Sequence, residues 1–143
     1  MTTATGRRKG REMAMQMLFQ GEMGKQTPEE VRKTFWMARE ESEMETRGFA
    51  EDLYRAATLH AKEIDRLIEA HARNWRLERM PAVDRNVLRM AVAEMLAYRS
   101  TPFPVVINEA LEIARRYSGT ESISFLNGVL DALARELIGR IWN

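Results

Sequence analysis

The chain contains no cysteine. Thiol nucleophiles, zinc–thiolate sites and disulfides are therefore excluded, and the composition fits a reducing compartment. Long apolar runs are missing as well, since no stretch approaches the ~18 residues that cross a bilayer. No secretory leader is expected, because Arg11, Glu12 and Gln16 interrupt the segment that follows the first basic residues. Together these absences place the chain in the cytoplasm. The sequence has no phosphate-cradling GxGxxG or GxxxxGK[ST] loop and no HExxH. Its two histidines, His60 and His71, are too far apart to share a metal as an i, i+4 pair, and no carboxylates complete a ligand set. Glu109 and Glu112 lie one helical turn apart, but no matching pair on another helix makes them an acid–base site. No enzyme activity, metal or cofactor is expected.

What remains is a helical pattern with segregated charge. The 143 residues are 45% hydrophobic and 30% charged, with a net charge of +1. That near-neutrality conceals an asymmetry. Residues 1–25 hold Arg7, Arg8, Lys9, Arg11 and Lys25 against Glu12 and Glu22, whereas residues 29–52 carry eight acids to four bases. Segregation of this kind suits a basic end made for a polyanion. Cations at a helix N-terminus oppose the macrodipole, so the arginine cluster does not exist for helix stability.

Strand-period alternation and internal repeats are both absent, and seven helical segments with short links predict an all-α bundle. Residues 1–6 are expected to form a flexible tail. A first helix runs from about Arg8 to Met23 on Met13, Ala14, Met17 and Leu18. Thr27-Pro28-Glu29-Glu30 starts a second, with a threonine cap, a proline in the first turn and acids behind it. That helix runs to about Glu41 on Val31 and Phe35, and an acidic loop over Glu40–Glu45 follows. A long third helix spans Arg47 to Arg73, and Asn74–Met80 is a short turn carrying Trp75 and Leu77. Asp84 is placed to cap a helix through Tyr98. The hydrophobic centre is expected at 104–131. Pro104 opens a helix there with Ile107, Ala110, Leu111, Ala114 and Tyr117 inward, and Ser118-Gly119 closes it through a left-handed glycine. Phe125, Leu126, Val129, Leu130, Leu133 and Leu137 form the last stripe, and Trp142 is expected to cover one end. The ten methionines are expected to serve as adaptable packing.

A binding role leaves the stronger trace. Arg7, Arg8, Lys9 and Arg11 set four positive charges within five residues, and Phe19 follows two turns later. Guanidiniums that pair with phosphates and a ring on which a base stacks are what single-stranded RNA requires.

Four blocks, RRKGREMAMQMLFQ, AVDRNVLRMAVAEML, PVVINEALEIARRY and FLNGVLD, resemble the NusB family of bacterial transcription antitermination factors in order and spacing over nearly the whole chain. The resemblance implies an all-helical fold of two three-helix subdomains packed together, here about 7–80 and 81–143 of a single domain over 7–143. It also implies a partner, NusE, a small-subunit ribosomal protein. The pair binds boxA RNA and helps RNA polymerase read through terminators, notably in ribosomal RNA operons. Carried over, Arg7, Arg8 and Arg11 match the arginine-rich RNA segment. Phe19 stands where the family usually has tyrosine. Glu121, Ser122 and Phe125 match the helix start that approaches RNA, and Glu78 and Asp84 match acids presented to NusE. The resemblance also admits two rival readings: an accessory domain of a ribosomal RNA cytosine methyltransferase, or a protein-only helical adaptor that forms homodimers. Asn127-Gly128 reads as structural, with glycine allowing close helix approach, and Arg89 with Glu109 as a core pair.

Overall fold

The computed structural model describes residues 3–39, 43–73 and 75–142, the side chains of 140–142 excepted. Seven α-helices and one short 3-10 turn account for the described residues: α1 (Ala4–Gly24), α2 (Pro28–Met37), α3 (Met44–Leu59), α4 (Ala61–His71), the turn Leu77–Arg79, α5 (Ala82–Ala97), α6 (Phe103–Tyr117) and α7 (Thr120–Trp142). Helix α1 already includes residues 4–6, expected in the tail, because Thr3 accepts a hydrogen bond from the Gly6 amide and caps it. The strongest start signal in the sequence forms as expected. Thr27 Oγ1 accepts from the Glu30 amide at 3.2 Å, and Glu30 Oε1 accepts from the Thr27 amide at 2.9 Å. Glu40, Glu41 and Trp142, all given roles from the sequence, lie outside the described side chains.

The centre of the bundle is α5, not the expected 104–131. Its side chains are buried from Asp84 through Met95 almost without interruption, and it packs on α1, α3, α4, α6 and α7. Its polar residues can lie inside because Asp84, Arg85, Asn86 and Glu94 each hydrogen-bond to another element. The apolar face of α6 also differs in part from the expected one. Ala110, Leu111 and Ala114 face the core as expected, joined by Val106 and Ile113, while Tyr117 is 44% exposed.

Other differences have local causes. The helix expected over 47–73 is two helices that break at His60, whose φ of −106° and ψ of 25° leave the α-helical region. The break brings to the surface a residue that would otherwise fall between Ala57 and Ile64 on the inward stripe. Ser118, in an extended conformation, ends α6, and no described glycine has a positive φ. The left-handed residue is Lys25 after α1, at φ 51°. Trp36 is buried beside Phe35, their rings edge to face at 4.9 Å.

Gly128 has open space where a Cβ would stand, so the close approach expected there does not occur. Gly10 supplies one instead. A Cβ on Gly10 would lie 2.7 Å from Phe49 Cδ2 and 3.3 Å from the Thr46 carbonyl oxygen, so α1 and α3 meet at their closest through a missing side chain. Overpacking costs ~1–3 kcal/mol, and alanine's better helix propensity returns up to ~1. Gly10→Ala is therefore expected to destabilise by about 1–2 kcal/mol in urea titrations. A more stable variant would mean that α3 can move aside freely.

Candidate nucleic-acid interface

Helices α1 and α6 run parallel, and polar side chains cross between them in register. Arg8 Nε donates to Glu109 Oε2 at 2.6 Å, and Arg8 Nη2 donates to Oε1 at 3.2 Å. Arg116 donates to Glu12 at 2.9 Å, and Gln16 donates to the Tyr117 hydroxyl at 3.2 Å. Glu109, next to the Arg8 guanidinium, raises the arginine's affinity for its proton. The expected Arg89–Glu109 pair is absent. Glu109 belongs to Arg8, and Arg89 is held by Asp65 and Glu22. Glu112 pairs with Arg115, so the two carboxylates of α6 have separate cationic partners.

The arginine cluster divides by helical phase. Arg7 is half-buried, with its guanidinium 4.9 Å from the centre of the Phe49 ring. Lys9 is exposed. Arg11 turns inward, and the expectation that it contacts a ligand is corrected here. It is 3% exposed, and its fork grips Glu94 of α5 at 2.6 and 2.7 Å. Neither partner reaches solvent, so this pair is structural.

Further along α1, Phe19 is 36% exposed. It lies about 16 Å from Arg8 along the axis, at 1.5 Å per residue. Phe19 opens onto a groove of about 830 Å³ walled also by Met15, Met23, Val83, Tyr117 and Arg39. Arg39 carries no role in the sequence reading and Tyr117 is expected there only as a core residue, because each is brought to Phe19 only by tertiary packing. The Arg39 guanidinium stands 3.6 Å from the Phe35 ring centre and donates to the Phe35 carbonyl and to Gln16 Oε1. Burial lowers its pKa from the ordinary arginine value. Both of these acceptors are uncharged, so this cation faces the groove without a described carboxylate to neutralise it.

Across the α6–α7 connection, Asp84 is 2% exposed. It accepts from Ser118 Oγ at 2.6 Å and Ser122 Oγ at 2.7 Å. Helix α5 begins at Ala82 without a side-chain cap, so the expected cap at Asp84 is corrected. So is its partner-facing role: the carboxylate ties the α6–α7 connection to α5. The Ser122 hydroxyl is committed to the second of these bonds. Phe125 is half-buried and meets Trp75 edge to face at 6.1 Å. These two rings and Glu121 wall a smaller cleft of about 270 Å³. Glu78 is exposed on the 3-10 turn. The structure thus brings Glu121, Ser122 and Phe125 together at one cleft, and Phe19, Val83 and Tyr117 at another groove. Arg8 lies at the far end of the α1–α6 seam and Arg7 beside it on Phe49 of α3, both apart from Glu121, Ser122 and Phe125.

Among the described residues there is no group of three histidines, cysteines or carboxylates able to hold a metal. No described helix is long and apolar enough to cross a membrane. The described residues define an all-helical protein with cations and partly exposed rings on its surface. Comparison with known proteins makes this specific. The NusB family model matches residues 8–135. The "Transcription antitermination protein NusB" of Koribacter versatilis is 60% identical over 138 residues, covering 96% of this chain and 94% of that one. T. maritima NusB has 34% identity and a TM-score of 0.84, with 95% of this chain and 94% of that one covered. A chain from a crystal structure of antitermination factors NusB and NusE in complex with dsRNA has 26% identity and a TM-score of 0.85, with coverage of 94% and 99%. The chain belongs to the NusB family.

Proposed function

We propose that this protein is a non-enzymatic, cytoplasmic antitermination factor. It binds boxA-type RNA together with NusE and promotes read-through by RNA polymerase, notably in ribosomal RNA operons. The observation that carries this reading is the similarity, over nearly the whole chain, to a NusB solved with NusE and RNA. The surface chemistry supports it. Phe19 and Tyr117 offer rings for a base, and Arg39 offers a charge that no described carboxylate neutralises. Arg7, Arg8, Phe19, Glu121 and Phe125 remain the RNA-facing set, with Ser122 positioned through Asp84. Glu78 is the remaining candidate for the NusE side. The chain is read as two three-helix subdomains, about 7–80 and 81–143, packed together.

The test is a titration of a short boxA-type single-stranded RNA at two salt concentrations, with and without added NusE. Weak, salt-dependent binding that tightens several-fold with NusE is expected. No RNA response in either condition would leave a protein-only adaptor as the better account. Phe19→Ala is expected to weaken binding by ~1–3 kcal/mol through lost stacking, and an unchanged affinity removes Phe19 from the site.

A further inference from the structure

The α4–α5 connection carries a basic, aromatic surface that the function above does not use. Arg73, Arg76 and Arg79 are exposed, and Trp75 among them is 49% exposed. With Glu69 they wall an open groove of about 470 Å³. Among the described residues, the ion pair these arginines make is Arg76–Glu78 at 3.7 Å, with side chains 75% and 73% exposed. A pair so open to water holds its charges weakly, so the arginines remain available.

The surface is built rather than loose. Leu77 and Met80 are buried as pegs on its inner side. The carbonyl oxygens of both accept from Arg85 Nη1 at 2.8 Å, and Arg85 is itself gripped by Glu22 of α1. Trp75 leans on Phe125, so the groove continues the cleft beside Glu121 and Ser122. The local charge also decides what can dock. Glu78 sits between Arg76 and Arg79, and Asp84 is turned inward. Against Glu69 and Glu78, the three arginines still leave the groove net positive, and their guanidinium forks suit phosphates.

We propose that Arg73, Arg76 and Arg79, with Trp75, form a second contact for single-stranded RNA, phosphates on the guanidiniums and a base against the indole; this rests on the RNA-binding function proposed above. The strand passes from Phe125 across Trp75 into the arginine groove.

The experiment compares the full chain with Arg73→Ala/Arg76→Ala/Arg79→Ala, titrating the same boxA-type RNA over a range of salt and recording melting temperatures. Each single-strand phosphate contact contributes ~0.7 to the slope of log affinity against log salt, so three contacts lower it by about two, or about a hundredfold in affinity near ~0.1 M salt. An unchanged slope with wild-type RNA binding intact overturns this contact and leaves the proposed function standing. A wild type that binds no RNA overturns both. Lost NusE binding with RNA binding retained assigns the patch to a protein and overturns the proposal. Arg76→Glu, at a position with a 75% exposed side chain, guards against misfolding of the triple variant. It is expected to weaken RNA binding more than Arg55→Glu, the same charge change at an exposed site on α3. Equal losses would make the effect one of total charge and would overturn the contact.

Discussion

Replacing Arg11 by alanine is expected to destabilise the fold by about 3–5 kcal/mol, the cost of stranding one member of a buried ion pair. Glu94 is fully buried, and in the variant its carboxylate would lose both donors from the Arg11 fork. Domain stabilities of ~5–15 kcal/mol mean that such a loss leaves much of the population near unfolding at moderate temperature. The apolar double replacement Arg11→Met/Glu94→Leu is expected to recover most of it, because an ion pair removed whole takes its desolvation cost with it. Urea titrations of the single and double variants measure the difference. Ordinary stability for Arg11→Ala with selectively lost RNA affinity would return Arg11 to the binding surface. Any decline in RNA binding by this variant must therefore be corrected for its unfolded fraction, whereas Arg8, at the half-exposed seam, needs no such correction.

Arg11 also marks what the sequence made legible and what it did not. Helix identity, the Thr27 capping box and the stripes of α1 and α7 follow from local spacing, and the structure has them. The inward turn of Arg11 depends on a second helix. Its sign in the sequence is a lone acid, Glu94, in the apolar run Ala91–Leu96, since a buried carboxylate requires a cation from elsewhere. The same logic accounts for Asp84. It sits where a cap would be expected, but its oxygens go to Ser118 and Ser122, more than thirty positions away. The centrality of α5 was hidden because the partners of its polar residues lie on other helices, distant in sequence. In the structure Asp84, Arg85, Asn86 and Glu94 are all buried and engaged by other elements. The groove around Phe19 was half legible: the ring stands in the sequence, but Tyr117 and Arg39 join it only once α1, α2 and α6 have packed. The surface at Trp75 was no more legible. Arg73, Trp75, Arg76 and Arg79 fall within seven residues, although the sequence pattern alone marks only a short turn there.

Arg85→Ala is expected to produce a comparable loss, ~3–5 kcal/mol, and to shift the acid limit of stability. Arg85 is 8% exposed. It donates to Glu22 through Nε and Nη2 and to the carbonyls of Leu77 and Met80 through Nη1. Removing it leaves those two carbonyls short of a donor beneath the 3-10 turn and halves the arginine grip on Glu22, which keeps only Arg89. Lysine at this position is not expected to restore the fold, because one ammonium cannot span the carboxylate and both carbonyls. Burial acts to raise the Glu22 pKa, but hydrogen bonds from Arg85 and Arg89, with their charges, outweigh it and hold the carboxyl below its ordinary value. A carboxyl depressed in the folded state contributes stability above its unfolded pKa, about 4.3 for glutamate, and that contribution disappears as pH falls through the lower folded value. Without Arg85 the folded value rises toward the unfolded one, so the variant's acid unfolding midpoint should lie higher than the wild type's. Circular dichroism along an acid titration reads both midpoints, and coincident midpoints would mean that Glu22 owes its depressed pKa to Arg89 alone. Because the same guanidinium supports the turn that carries Arg76 and Arg79, the variant should also lose the salt-dependent part of RNA binding assigned to that groove, even at neutral pH where Glu22 stays ionised.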